Sequence, residues 1–304
     1  MDHVKPFLKW VGGKTQIIKE VIGLFPTEMD NYFEPFLGGG SVLLALLSEV
    51  RRGAIQVAGH IFASDLNPNL IGLYRNVQAR PDALIAAVRS LVIEFEASVG
   101  DTVNRKPTTL AEAKTSPESY YYWIRAKFNA LPAVARSSVA ASAMFLFLNK
   151  TCFRGVYREG PNGFNVPYGH YTNVAVMDED HIKAVSELIK DVVFTCESFE
   201  EAISPVGLGD FVYADPPYAP MNATSFVGYN AGGFHSESHG HLFELCRGLV
   251  QKDALFLLSN ADVPLVKEAF PGAGFETKII SCRRAIQSND PSARANEVLI
   301  RPRQ

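Results

Sequence analysis

The chain has 304 residues, 47% of them hydrophobic and 20% charged, a size that points to one large domain with an insertion or to two domains and a balance that excludes long disorder. Its formal net charge of −3 does not advertise a polyanion-binding protein, yet the charge is unevenly placed. Residues 101–170 hold nine basic side chains against four acidic ones, a surplus of five that leaves −8 on the remainder. Such a division fits a basic module set against an acidic body, and equally a solvated basic surface.

At the N-terminus, MDHVKPFLKW brings Asp2, Lys5 and Lys9 into the stretch where a signal peptide is apolar, so an intracellular, cytoplasmic location is expected. KWVGGK (9–14) ends like a phosphate-binding loop, but Leu8 stands where that loop needs glycine and no strand precedes it. Trp10 and Lys14 become candidates to stack on a cationic cofactor and to reach its carboxylate; the competing reading is a buried tryptophan anchor and a solvent lysine.

Three strand–turn–helix units follow, the rhythm of an α/β sheet. In the first, NYFEPF reads as a strand, LGGGS as a turn and VLLALL as a buried helix start. Gly38 to Gly40 let backbone N–H groups approach a ligand, although Leu43 replaces the third glycine of a dinucleotide fingerprint. In the second, HIFASDLNPNL closes a strand on Asp65, where a carboxylate can accept from both hydroxyls of a ribose, and opens a helix at Asn67-Pro68 with Leu70, Leu73 and Tyr74.

After Pro81 comes a stretch of different character. A polar linker leads to a helix beginning at Ser116-Pro117 with Tyr121, Ile124, Phe128 and Leu131 on one face. The longest apolar run, Val139 to Leu148, is too short to span a bilayer and reads as core, so no membrane partner is expected. CFRGVYREGPNGFNVPYG (152–169) reads as a hairpin whose strands FRGVYR and FNVPYG flank the turn EGPNG. Cys152, Cys196, Cys246 and Cys282 form no CxxC pair, so no metal is expected and all four read as buried small hydrophobes.

The third unit, DFVYADPPY, places Asp215 at the carboxyl end of a strand, where open α/β sheets bind ligands. Asp215-Pro216-Pro217-Tyr218 suits one chemical problem. The amino nitrogen of adenine is a poor nucleophile because its lone pair is delocalised. The Asp215 carboxylate and Pro216 carbonyl can accept from its two N–H groups, the prolines hold that carbonyl in place, and Tyr218 offers a flat face to an extruded base. LFLLSN (255–260) and ETKIISCRR (276–284) read as further strands, the second closing a hairpin with VLIRP.

KWVGGK, FEPFLGGGS, ASD, CFRGVYRE with FNVPYG, YADPPYAP, LLSN and CRRAIQSN together resemble the Dam-like (class alpha) DNA adenine-N6 methyltransferases over nearly the whole chain. The resemblance implies a Rossmann-like α/β sheet that uses S-adenosylmethionine, with an inserted helical and β-hairpin target-recognition domain. It implies a catalytic domain from 1–78 and 173–304 and a recognition insertion over 79–172. Trp10, Lys14, Glu34, Phe36, Gly38, Gly40, Asp65, Ser198, Phe199 and Asp215 then correspond to cofactor residues, and Asp215, Pro216, Pro217 and Tyr218 to the catalytic segment. Lys9, Phe153, Arg154, Arg158, Pro167 and Tyr171 fall where relatives touch DNA bases. Arg154 departs from the asparagine usual in relatives that methylate GATC, which bears on the target site and not on the reaction. Double-stranded DNA, a cognate restriction endonuclease and a monomeric or weakly dimeric state complete the expectation.

Cytosine-N4 methyltransferases usually carry serine, and protein-glutamine or RNA amino-methyltransferases asparagine, where this chain has Asp215. Cytosine-C5 methylation needs a nucleophilic cysteine, typically after proline, and none of the four cysteines follows one. A DNA-binding module that kept the fold and lost catalysis is the rival from another class, against which the intact DPPY, the glycine turn and Asp65 speak.

Overall fold

The computed structural model describes residues 3–172, 174–219, 234–283 and 294–303. Pro220 of YADPPYAP and residues 284–289 of CRRAIQSN lie outside the described residues. The chain divides into two compact units, one of 1–3, 14–66 and 191–304, the other of 4–13 and 67–190.

The first unit is built on a seven-stranded sheet. Its strands are β1 (Tyr32–Glu34), β2 (Ile61–Ser64), β3 (Val192–Thr195), β4 (Phe211–Ala214), β5 (Leu255–Ala261), β6 (Phe275–Arg283) and β7 (Arg294–Pro302), in the spatial order β6-β7-β5-β4-β1-β2-β3. Five strands run parallel, and β7 pairs antiparallel with both β5 and β6, so the expected closing hairpin forms the sheet's end. Sequence accounts for the split. Phe211-Val212-Tyr213-Ala214 is buried throughout, as a parallel strand covered on both faces must be. The edge strand β6 instead carries exposed Glu276, Lys278 and Ile279, the charges being features that blunt an open edge.

Side chains of the two faces enter different cores. Phe25 packs against Tyr32, Phe211 and Tyr213 on one face, with ring centroids 4.7 to 5.9 Å apart. On the other face Phe33, Val212, Phe256 and Leu258 join Leu242, Phe243 and Leu249 of the helix Ser236–Gln251. The chain leaves β1 toward β2 on one side, while β4 lies on the other, so the strand order switches direction between β1 and β4. Crevices at the carboxyl ends of such strands are where ligands bind in open α/β sheets.

The second unit is mostly helical. Val139–Thr151 is the apolar run of the sequence, and helices Pro68–Ala79, Pro81–Glu96 and Pro117–Asn129 pack on it, which explains a helix without a polar face. Each of the three begins with proline at its first position, where a missing N–H is harmless. Tyr121, Ile124 and Phe128 are buried as their spacing predicts, whereas Leu131 lies past the end of its helix. This unit takes in 4–13 and 67–190, with Pro68–Ala79 and Glu179–Leu188 packing against its other helices.

Two sequence expectations change. The hairpin's strands are much shorter than FRGVYR and FNVPYG suggest, Glu159–Gly160 against Gly163–Phe164, with a separate antiparallel bridge between Cys152 and Tyr168. Arg154 and Gly155 have φ of 56° and 66°, left-handed values that a strand cannot hold, and Phe153–Gly155 is a helical turn. A side chain at Gly155 would also collide with Lys9. Among the cysteines, Cys196 is exposed while the other three are buried. No helix among the described residues is long and apolar enough to cross a membrane.

Leu44, in the helix Ser41–Arg52 behind the glycine turn, has no exposed surface. Leu44→Ala should lower the stability of the first unit by about 2 to 5 kcal/mol, read from the urea midpoint, and an unchanged midpoint would place that helix outside the core.

Candidate active site

The carboxyl ends of β1 and β4 bring two acids together. Glu34 ends β1, is almost fully buried and accepts a hydrogen bond from Tyr32 Oη at 2.7 Å. Burial pushes its carboxyl up to about 8; the Tyr32 hydrogen bond opposes that rise and the Asp215 charge adds to it. Asp215 follows β4 and meets Lys14 Nζ at 2.6 Å, with 18% of its side chain exposed against 4% for Lys14. Its carboxyl is raised to about 6 by burial, against the pull of Lys14 and with a further push from Glu297.

Lys14 is held from both ends. Its backbone N–H donates to Ser41 Oγ at 3.0 Å, and its ammonium lies 4.8 Å from the centre of the Tyr218 ring. The Tyr218 hydroxyl stands 2.7 Å from Ser259 Oγ and donates to Glu297 Oε2 at 2.8 Å. The N–H of Ala219 donates to Asn260 Oδ1 at 3.0 Å. Pro216 is buried and Pro217 half-buried between these anchors.

Beside the acids lies the glycine turn. Gly38 and Gly40 have φ of 49° and 67°, where a side chain would be strained, and Gly40 starts the helix Ser41–Arg52. The N–H of Gly38 donates to Asp65 Oδ2 at 3.0 Å, so Asp65 fixes the turn from the end of the neighbouring strand. Phe36 stacks on Phe199 at 5.5 Å, and Phe234 meets both rings. Ser198 caps the helix Phe199–Ile203 through a reciprocal pair with Glu201. Lys14, Glu34, Phe36, Gly38, Gly40, Asp65, Ser198, Phe199 and the catalytic segment thus all belong to the first unit.

Residues 10–286 match the D12 class N6 adenine-specific DNA methyltransferase family. The chain belongs to that family. It is 37% identical to the Type II methyltransferase M.MjaIII of Methanocaldococcus jannaschii over 93% of each chain. It is 30% identical to Type II methyltransferase M1.LlaDCHI of Lactococcus lactis, over 88% of this chain and 85% of that one. The DNA adenine methylase of Escherichia coli K12 is 31% identical over 95% and 91%. The chain is therefore an adenine-specific DNA methyltransferase with a Rossmann-like α/β sheet.

The other sequence candidates of this D12 class enzyme lie in its second unit. Trp10 stacks on Tyr157 with ring centres 5.7 Å apart and tilts against Phe145. Lys9 Nζ lies 4.2 Å from the Tyr171 ring and donates to the Lys150 carbonyl at 3.3 Å. Phe153 is half exposed with the Arg154 guanidinium over its ring, and its N–H donates to the Pro167 carbonyl at 2.9 Å. Arg158 Nε donates to Asn165 Oδ1 at 2.7 Å. Lys9 and Tyr171 thus form one half-buried cation–π pair, and Phe153, Arg154 and Pro167 form an exposed basic and aromatic group, with Arg158 beside the short hairpin. Ser41, Ser259 and Glu297 had no role in the sequence reading; the one available signal was the polar pair ending the apolar run LFLLSN.

Glu34 gives a pH prediction. A carboxyl whose folded value is raised from about 4.5 to about 8 contributes stability that is complete below the lower value and lost as pH rises through the upper one. The Glu34→Gln variant cannot titrate, so its melting temperature relative to wild type should climb between about pH 5 and pH 8. A constant difference would mean that Glu34 is ionised throughout.

Proposed function

We propose that this adenine-specific methyltransferase transfers a methyl group from S-adenosylmethionine to N6 of an adenine extruded from duplex DNA at a specific site. The observation that carries the reading is the acceptor carboxylate of Asp215, fixed by Lys14 beside the glycine turn. Left-handed glycines leave room for a ligand against backbone N–H groups, Phe36 and Phe199 offer an aromatic face for an adenine ring, Asp65 supplies negative character beside a sulfonium, and Glu34 offers a polar carboxyl. The residues present therefore fit this cofactor. Lys14, Glu34, Phe36, Gly38, Gly40, Asp65, Ser198 and Phe199 would hold it; Trp10 is left out of this set because Tyr157 and Phe145 engage its ring. When bound, the cofactor supplies an electrophilic methyl on sulfur.

The chain's own work is positioning. Asp215 accepts from one N6–H and the Pro216 carbonyl from the other, which favours a nitrogen whose lone pair points away from the ring plane. Tyr218 supplies the stacking face and the two prolines keep the backbone from relaxing. In the second unit, Lys9, Phe153, Arg154, Pro167 and Tyr171 meet the target site, and Arg158 reads a guanine next to the adenine. With its Nε engaged by Asn165, the two terminal nitrogens of Arg158 are the pair available to guanine O6 and N7. The Type II names of two relatives support a cognate restriction endonuclease as partner of a monomeric or weakly dimeric enzyme acting on DNA inside the cell.

Asp215→Ala should collapse transfer of labelled methyl to DNA while leaving DNA affinity nearly unchanged, because a lost charge-assisted hydrogen bond costs about 2 kcal/mol or more in the transition state. Turnover above roughly a tenth of wild type contradicts the assignment. Arg158→Ala should weaken methylation of the preferred site by about 1 to 3 kcal/mol and relax discrimination at one base position. A phosphate contact would instead weaken all sequences alike and lower the salt slope by about one charge, which competition between single-base variants at two salt concentrations distinguishes.

A further inference from the structure

Strands β5 and β7 converge on the hydroxyl of Tyr218, an arrangement the chemistry above does not use. A phenol has one proton to give, so with Tyr218 donating to Glu297 Oε2, Ser259 must be the donor in the 2.7 Å contact between the two hydroxyls. The register agrees: Glu297 lies opposite Ala261 and Leu299 opposite Ser259, so Ser259 and Glu297 share a face of the sheet. Asn260 Oδ1 accepts from Ala219 and Ala261 N–H groups at 3.0 and 2.8 Å, which ties the backbone just after Tyr218 to the same strand. Ser259 and Asn260 have no exposed surface, so this frame is rigid.

A tyrosine ring has two side-chain torsions, and fixing the backbone beside it together with the hydroxyl at its tip leaves neither free. We propose that Glu297 is a positioning residue of the methyl-transfer site, which through the Tyr218 hydroxyl sets the plane of the ring against which the extruded adenine lies. The proposal rests on the reading of the DPPY segment given above. Glu297 also acts by charge. Asp215 is faced by Lys14, Tyr218, Glu34 and Glu297, and after burial and the opposing Lys14, the Glu297 carboxylate adds to the rise of the Asp215 carboxyl.

The test is a cycle of Glu297→Ala, Tyr218→Phe and the two combined, with Glu297→Gln alongside. Glu297→Ala should lower kcat roughly tenfold and leave the KM for DNA nearly unchanged, since the contact counts once the base is in place. Because Glu297 acts through the hydroxyl that Tyr218→Phe removes, the combined variant should be no slower than the slower single one. Glu297→Gln keeps an acceptor but loses the charge, so the acid limb of kcat should move to lower pH. Losses that add in the combined variant, or an acid limb that stays in place in Glu297→Gln, overturn the proposal; the second arm holds even if Glu297→Ala does not fold. Asp215→Ala run in parallel separates the two levels. Activity retained there refutes the site itself, whereas an inactive Asp215→Ala with Glu297 variants like wild type refutes this inference alone.

Discussion

A carboxylate removed from water is costly unless a cation meets it, and Asp215 at the end of a strand buried on both faces is met by Lys14 at 2.6 Å. Breaking such a pair costs about 3 to 5 kcal/mol when one partner is lost, so the place of Lys14 is tightly constrained. That constraint reaches outward. The lysine backbone is fixed by Ser41, the first residue of the helix that opens on the glycine turn, and the turn is fixed by Asp65. Acceptor, lysine and glycine turn therefore share one frame, and none can shift without disturbing the others.

Two carboxyls at the switch between β1 and β4 sit in unlike surroundings. Glu34 is enclosed and pushed to about 8, while Asp215 keeps a cation and some solvent and rises only to about 6. Near neutral pH this favours a protonated Glu34 beside an ionised Asp215, the state in which Asp215 can accept a hydrogen bond. The energetic cost of burying both is concentrated where the family's chemistry takes place, as is usual where local rules are broken for function.

Much of this was legible in the sequence because it is local. FVYA followed by DPPY, ASD before NP and the glycines after FEPF each mark a strand end within a few residues, and the sheet puts those ends side by side. What was not legible depends on distant pairing. Nothing in VLIRP or its flanks announces that Glu297 will reach Tyr218, since the antiparallel register of β5 and β7 decides it. The alternating apolar residues of FRGVYR resemble a strand, whereas Gly155 permits a left-handed turn that packs against Lys9 and shortens the hairpin. Trp10 is a third case of distant pairing: nothing in the sequence around it announces that Tyr157, far along the chain, stacks on its ring.

The central claim is that the acceptor geometry around Asp215 serves the amino group of adenine. It is tested most directly by expressing the chain in a host whose DNA carries no methylated bases, digesting that DNA to nucleosides and identifying the methylated product by mass spectrometry. The account predicts N6-methyldeoxyadenosine as the modified nucleoside. Methyl groups found on cytosine, or on no base at all, would contradict it.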